Sequence, residues 1–175
     1  MTREQLEHVI RAAGSIAEED RIVIIGSQAI LGAYPDAPES LRTSMEADAF
    51  PEHNPLKADI IDGCIGELSP FHETYGYYAH GVTQDAAILP RNWRERLVEI
   101  SSPATKGYVG LCLSPEDLAV SKLLASREKD VAFVQIMLSE KLVDKNDIHK
   151  LSNELEEPYA TRLLDALACI SPSTL

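Results

Sequence analysis

The segment RIVIIGSQAILGAY, at residues 21–34, restricts the fold more than any other part of the sequence. Ile22 to Ile25 form a continuous, β-branched apolar run, which is typical of a short buried strand, and Gly26 ends it. Ser27 can then cap a helix that begins at Gln28. The sequence therefore predicts a strand, a tight Gly-Ser turn and a helix. Such a turn offers backbone N–H groups, a hydroxyl and a positive helix end, which all suit phosphate, although a Gly-Ser pair alone is usually only a turn.

Further segments extend this unit into a larger fold. Apolar runs and helical spacing predict strands at residues 45–50, 75–82, 95–101 and 108–113, and helices at residues 3–13 and 56–65. Ser114 and Pro115 supply a cap and a first-turn proline for a helix that should run to about Asp130. More helices are expected at residues 130–140, 145–156 and 158–169. We therefore expect an α/β part at residues 1–113 and a helical lobe at residues 114–175, packed as one compact unit.

The composition fits a soluble globular protein, because 45% of the 175 residues are hydrophobic and 25% are charged. No apolar run approaches the roughly 20 residues that span a bilayer, and the first residues lack the pattern of a secretory signal. We therefore expect a cytoplasmic protein with no membrane contact. The net charge of -12 disfavours broad binding to nucleic-acid backbones. A small basic pocket could still hold one nucleotide.

The most informative polar feature is a pair of acids, Glu46 and Asp48, inside the predicted strand SMEADAF. Side chains two positions apart share one face of a strand, so the two carboxylates should point the same way. In a low-dielectric site they repel each other, and a divalent cation relieves that repulsion. Mg²⁺ is commonly bound by one or two carboxylates together with substrate phosphates, so the spacing suits phosphoryl or nucleotidyl transfer. The alternative, and the commoner origin of an isolated pair, is a solvated polar strand face.

The order of these features resembles the nucleotidyltransferase superfamily, whose core is like that of polymerase beta. The signature of that superfamily is a Gly-Ser or Gly-Gly turn after the first strand, then a pair of acids on the next strand. IVIIGSQAI and LRTSMEADAF match it at Gly26, Ser27, Glu46 and Asp48. The resemblance implies an α+β fold with a mixed β-sheet core and a helical C-terminal half. It also implies that the two acids are catalytic and bind Mg²⁺ or Mn²⁺, and that the Gly-Ser turn binds nucleotide.

Within the superfamily, the chain is most similar to AbiEii-type abortive-infection toxins and short proteins akin to them. Those proteins commonly have an Arg-x-Ser/Thr-x-acid-x-acid string, and here Arg42 and Ser44 precede the acids. They also have a helix that begins DLxxxKL and is followed by an Arg/Lys-Asp cluster, which PEDLAVSKLLASREKD fits. This resemblance covers about residues 20–135 and implies that Arg42, Ser44, Lys122 and Asp130 contact the nucleotide. It also implies a possible antitoxin-like protein partner.

The chain departs from the superfamily pattern in its acids. Glu46 stands where Asp is usual, and the third carboxylate, normally on a later strand, has only Glu99 and Asp85 as candidates. His72 and His80 lack the HExxH spacing of a zinc-binding helix. His72 could orient a substrate or shuttle a proton, but we expect it to be a structural, hydrogen-bonded histidine.

The helix from Pro115 should also carry a basic stripe. If it is unbroken, Lys122, Ser126 and Lys129 fall at i, i+4 and i+7, with Asp130 beside them. Lys122 could then bind a triphosphate, whereas the plainer interpretation is an exposed helix face.

Together these features predict a metal-dependent nucleotidyltransferase. It would transfer a nucleotidyl group from a nucleoside triphosphate to an acceptor that the sequence does not identify, which is a small molecule, a protein or an RNA. One alternative is a catalytically degenerate nucleotidyltransferase fold that acts as a binding or regulatory subunit, or in a toxin–antitoxin-type pair. Another is a plain surface strand in an unrelated α/β protein. P-loop and dinucleotide-binding motifs are absent from the sequence.

Overall fold

The computed structural model describes residues 1–170, in which five strands and eight α-helices form an α+β fold. The strands are β1 (Arg21–Ile25), β2 (Glu46–Pro51), β3 (Tyr78–Gly81), β4 (Val98–Ile100) and β5 (Val109–Cys112). The helices are α1 (Arg3–Ala17), α2 (Ile30–Ala33), α3 (Ala58–Ile65), α4 (Pro70–Tyr75), α5 (Pro115–Ala125), α6 (Glu128–Ser139), α7 (Lys145–Lys150) and α8 (Tyr159–Cys169). None of the helices within these residues is long and apolar enough to cross a bilayer.

The strands form one mixed sheet in the order β3-β2-β1-β5-β4. The central strand β1 runs antiparallel to β2 and parallel to β5. Strand β3 pairs with β2 in parallel, and β4 pairs with β5 in antiparallel fashion. The predicted α+β fold with a mixed sheet is therefore confirmed. The division of the chain between residues 113 and 114 stays a prediction, although α5 packs against α2 as well as α6, α7 and α8.

Helix α1 covers part of the sheet and forms as the sequence predicts. Thr2 and Gln5 make a complete capping box at its start. Its apolar side, which includes Leu6 and Ile10, is fully buried, and the helix packs against α3 and against strands β1, β2 and β5. It continues four residues beyond the predicted end and stops where Glu18 takes a left-handed conformation, φ 53°.

The helix predicted after the Gly-Ser turn is much shorter than expected. Residues Ser27–Ala29 form a 3₁₀ turn, and α2 adds only one α-helical turn. The proline at position 35 explains the early end, because it disfavours a helical backbone at Tyr34, which has φ -125° and ψ 84°. The prediction that Ser27 caps this helix is wrong, since its side chain makes no capping hydrogen bond.

The single helix predicted from Pro115 to about Asp130 is in fact two helices. Helix α5 ends at Ala125, Ser126 adopts a left-handed conformation with φ 57°, and α6 begins at Glu128. The predicted stripe of Lys122, Ser126 and Lys129 on one helix is therefore wrong.

Two other helices also differ from the prediction. The helix expected at residues 145–156 ends at Lys150 and continues as a 3₁₀ turn, Leu151–Glu154. A helix that was not predicted, α4, starts at the Ser69 cap.

Candidate functional site

The Gly-Ser turn, the ends of strands β1 to β3 and helices α5 and α6 line one cleft with a volume of about 780 Å³. Such a volume is typical of sites that bury a small organic ligand. The charged side chains of the cleft divide between the sheet and the segment formed by α5 and α6. We call them the acidic wall, formed by Glu46 and Asp48 of β2, and the basic wall, formed by Lys122, Arg127 and Lys129.

The acidic wall follows from the register of three neighbouring strands. Asp48 pairs with Ile25 on one side and with His80 on the other, and Glu46 pairs with Tyr78. Both acids therefore point into the cleft, as their spacing predicts. His80 Nδ1 lies 3.0 Å from Asp48 Oδ1 and 3.5 Å from Glu46 Oε1. The Tyr78 hydroxyl donates a 3.0 Å hydrogen bond to Glu46 Oε2.

These contacts change the acidity of the groups on the acidic wall. Burial, followed by the negative charge of Glu46, raises the pKa of Asp48 to about 6. Burial alone would lower the pKa of His80, but the hydrogen bond to Asp48 and the charges of both acids outweigh it, and the pKa rises. Burial and the bond to Glu46 raise the pKa of Tyr78 to about 12. A positive charge between the two carboxylates is thus favoured.

The acidic wall also fits a divalent cation. One donor atom from each of Glu46, Asp48 and His80 lies within 4.8 Å of the other two. Donors bound to one ion at about 2.1 Å are separated by comparable distances. Carboxylate oxygens are the ligands that Mg²⁺ and Mn²⁺ accept most readily.

Gly26 holds the Gly-Ser turn close to the acidic wall. Its φ of 71° is rarely adopted by residues with a side chain, and a Cβ at this position would lie 2.0 Å from Asp48 Oδ2. The absence of a side chain is therefore what lets the turn and Asp48 meet.

The basic wall is joined to the same turn through Lys122. Its mostly buried ammonium group donates hydrogen bonds to Ser27 Oγ at 2.7 Å and to Asp130 Oδ1 at 2.8 Å. It also lies 5.0 Å from the centre of the Phe133 ring. Burial would raise the pKa of Asp130, but hydrogen bonds from Arg127 and Lys122 outweigh it and the pKa falls. Lys122 and Asp130 thus form a charged pair beside the Gly-Ser turn, although they lie on different helices, α5 and α6.

Arg127 and Lys129 complete the basic wall at the start of α6. The Arg127 side chain is 61% exposed although it pairs with Asp130. Its pKa is raised mainly by the hydrogen bond to Asp130, with further contributions from the charges of Asp48 and Glu46. The negative charges of the acidic wall therefore act on the Arg127 guanidinium across the cleft.

The structure brings together all but one of the residues predicted to contact nucleotide. Ser44 lines the cleft, and its Oγ exchanges hydrogen bonds with the backbone N–H and C=O of Glu46. Arg42 does not line the cleft. Its carbonyl accepts a hydrogen bond from the amino terminus of Met1, and its Nε is buried with no hydrogen-bond partner among residues 1–170.

Neither candidate for the third carboxylate lies at the acidic wall. Glu99 is on the edge strand β4, where it forms a 3.0 Å ion pair with Arg21. Asp85 lies in an exposed 3₁₀ turn and does not line the cleft. The third potential metal donor beside the two acids is instead His80, for which the sequence predicted no role in the site. In the sequence, the residues YYAH indicate a strand, but only the pairing of β3 with β2 places His80 opposite Asp48.

Comparison with protein families gives an independent assignment. Residues 4–165 match the model of a family described as nucleotidyltransferase of unknown function (DUF6036). The chain belongs to this family. The match supports the resemblance to the nucleotidyltransferase superfamily and spans every residue of both walls. The closer likeness to AbiEii-type toxins stays a prediction. Comparisons with curated proteins and with solved structures gave no match.

Proposed function

We propose that this DUF6036 protein is a metal-dependent enzyme that transfers a nucleotidyl group from a nucleoside triphosphate to an acceptor. The proposal is carried by one observation: the acidic wall and the basic wall face each other across a single cleft, with the Gly-Ser turn between them. A triphosphate with a bound cation needs both kinds of wall, because the cation is held by carboxylates and the phosphates by cations and hydroxyls.

Each wall has a separate task in this proposal. Bound at Glu46 and Asp48, Mg²⁺ or Mn²⁺ would neutralise phosphate charge. Gly26 and Ser27 line the cleft, and their backbone N–H groups and the Ser27 hydroxyl would bind phosphate oxygens. Lys122 can donate three hydrogen bonds, of which Ser27 and Asp130 receive two, so a third can reach a phosphate.

The reaction forms one bond and breaks one. A hydroxyl oxygen of the acceptor attacks the α-phosphorus and loses its proton to water. The bond between the α-phosphorus and the bridging oxygen breaks, and its electron pair leaves with pyrophosphate. The acceptor is a small molecule, a protein or an RNA. The net charge of -12 favours the first two over a large RNA.

Binding of a fluorescent nucleoside triphosphate with and without Mg²⁺ tests the first step. We expect metal-dependent binding that is lost when Glu46→Gln is combined with Asp48→Asn. Glu99→Gln is the matched control, because it removes an equivalent carboxylate from the same sheet outside the cleft. Binding that persists in the double variant, or no binding of any nucleoside triphosphate by the native chain, contradicts the proposal.

One observation favours a second candidate, a catalytically degenerate subunit that only binds nucleotide, as in a toxin–antitoxin-type pair. Among residues 1–170 no third carboxylate joins Glu46 and Asp48. Incubating the protein with an α-³²P-labelled triphosphate and cell extract separates the two candidates. Label on a small molecule, a protein or an RNA supports the enzyme, and nucleotide binding without label transfer supports the subunit.

A further inference from the structure

The imidazole of His80, which lies beside the acidic wall, affects which cation the site binds. His80 Nδ1 is 3.0 Å from Asp48 Oδ1 and 3.5 Å from Glu46 Oε1. The three side chains come from two strands paired in parallel, so the register of the sheet sets their spacing. We propose that Glu46, Asp48 and His80 together form a cation site with two carboxylates and one imidazole, which prefers Mn²⁺ to Mg²⁺. This inference rests on the proposed function, whose metal it identifies.

The preference follows from the donor atoms. Mg²⁺ is a hard cation that is bound almost entirely by oxygen and keeps several waters. First-row transition ions accept imidazole nitrogen as well as carboxylate oxygen, and Mn²⁺ is the one closest to Mg²⁺ in its tolerance of carboxylates. Two carboxylates balance the charge of either ion, so the neutral nitrogen is what distinguishes them. A nitrogen ligand in place of a third oxygen should therefore favour Mn²⁺.

His80 is held in place through Gly81, the residue that follows it. Asp62 Oδ1 accepts a 3.1 Å hydrogen bond from the N–H of Gly81. Gly81 itself packs so closely on α3 that a Cβ there would lie 2.0 Å from the carbonyl oxygen of Ala58. On the other side of the site, Tyr78 holds Glu46 by its hydroxyl. Groups that orient metal ligands in this way typically change metal affinity by about 10–100-fold when removed.

His80 could instead be only a hydrogen-bond partner of the two acids. In that case a protonated imidazole would take the place of a cation, and removing it would leave the two carboxylates free to bind metal more tightly. The two roles therefore predict opposite effects of His80→Ala on Mn²⁺ affinity.

The test is electron paramagnetic resonance of nucleotide-free protein titrated with MnCl₂ at pH 8, with pulsed detection of ¹⁴N bound to Mn²⁺. The native chain should show a directly bound nitrogen. His80→Ala should lose that signal and weaken Mn²⁺ binding by about 10-fold or more. His72→Ala is the matched control, because His72 packs on Tyr78 at 4.6 Å without lining the cleft. It should keep both the signal and the affinity.

A second variant tests the preference itself. His80→Asp supplies a third carboxylate, and competition between MgCl₂ and MnCl₂ should then shift toward Mg²⁺ by about 10-fold. The proposal is overturned by an unchanged or tighter Mn²⁺ affinity in His80→Ala, by the absence of a ¹⁴N signal in the native chain, or by an unchanged preference in folded His80→Asp. Labelled-triphosphate transfer is measured in parallel with both metals. Transfer without the ¹⁴N signal rejects this inference alone, and the signal without transfer rejects only the proposed reaction.

Discussion

At the scale of single residues, the contact between Gly26 and Asp48 makes the turn and the acidic wall one unit. The missing side chain matters for two reasons: the backbone has φ 71°, and a Cβ would lie 2.0 Å from a carboxylate oxygen. The first is a backbone effect: with ψ -171° this conformation lies outside the left-handed helical region and is adopted almost only by glycine, so a side chain there costs about 1–3 kcal/mol. The second is specific to the site, because the Asp48 side chain would have to leave its position.

Gly26→Ala is best compared with Gly76→Ala, at a second glycine with positive φ. Gly76 has φ 75°, but a Cβ there meets nothing within 4 Å. We expect Gly76→Ala, in the left-handed helical region, to lose about 1 kcal/mol of unfolding free energy, and Gly26→Ala to lose more and to abolish metal-dependent nucleotide binding. Denaturant unfolding and the binding assay measure the two quantities. Equal losses in both variants, with nucleotide binding intact, contradict this role for Gly26.

Asp48 should make the stability of the protein depend on pH. Its pKa rises from 3.8 to about 6 on folding, so the ionised carboxylate opposes folding fully above about pH 6 and not at all below about pH 4. Asp48→Asn should therefore stabilise the metal-free protein by roughly 1–3 kcal/mol at pH 8, and the gain should disappear as the pH falls to 4. Thermal unfolding in EDTA at several pH values measures it, with Glu99→Gln as the control. A gain that is equal at pH 8 and pH 4 rejects the explanation.

Sequence alone could place Glu46 and Asp48 because the two-residue period of a strand is local. It could not place His80, which reaches the same site only through strand pairing. The pairing partner and the register depend on how distant segments pack, and one residue of slip would turn His80 to the opposite face. Candidates such as Glu99, chosen without a register, consequently fell on the wrong strand.

At the scale of elements, the break between α5 and α6 brings Lys122 and Asp130 together. Eight positions apart on one continuous helix, the two side chains would lie more than two turns apart. The left-handed Ser126 turns the chain, and the ammonium and carboxylate then meet at 2.8 Å. Helix starts such as Ser114-Pro115 could be predicted because caps have strong residue preferences. The break between α5 and α6 could not be predicted in this way, because neither Gly nor Pro occurs there.

Lys122→Met tests the importance of that pair. It leaves the fully buried Asp130 with Arg127 as its remaining cation, and we expect a loss of about 2–4 kcal/mol of unfolding free energy. Nucleotide affinity should fall as well. Lys129→Met, which removes an exposed cation from the same wall, should change stability by less than about 0.5 kcal/mol. Similar unfolding curves for the two variants would show that the Lys122–Asp130 pair does not hold α5 and α6 together.

A second buried ion pair fixes the segment before β4 to the start of α5. Two nitrogens of Arg96 donate to the fully buried Asp117 at 2.7 and 2.9 Å, and a third contact reaches Glu154 at 3.1 Å. Arg96→Met should destabilise the protein by about 3 kcal/mol, because Asp117 keeps only its bonds with Ser114. Arg94→Met, two residues away and exposed, is the control and should have little effect. The measurement is equilibrium unfolding, and a loss below about 1 kcal/mol for Arg96→Met contradicts the expectation.

At the scale of the whole molecule, the cleft has one wall on the sheet and the other on the helices that follow it in the chain. A ligand that binds both walls must therefore stabilise distant parts of the sequence at once. With a triphosphate and Mn²⁺ at about 100 times the dissociation constant, binding should add about 2.7 kcal/mol to the unfolding free energy. For a chain of this length, that raises the melting temperature by roughly 5–10 °C.

Hydrogen exchange shows where that stabilisation acts. We expect the ligand to slow exchange at the Gly-Ser turn and in β2, and equally at the junction of α5 and α6, because Lys122 joins the turn to α6 through Ser27 and Asp130. The Glu46→Gln, Asp48→Asn double variant should show neither the slower exchange nor the rise in melting temperature. Protection confined to the sheet would mean that the metal binds without the triphosphate. Protection confined to the α5–α6 junction would mean that the phosphates bind without the metal, and either result contradicts a single ligand held by both walls.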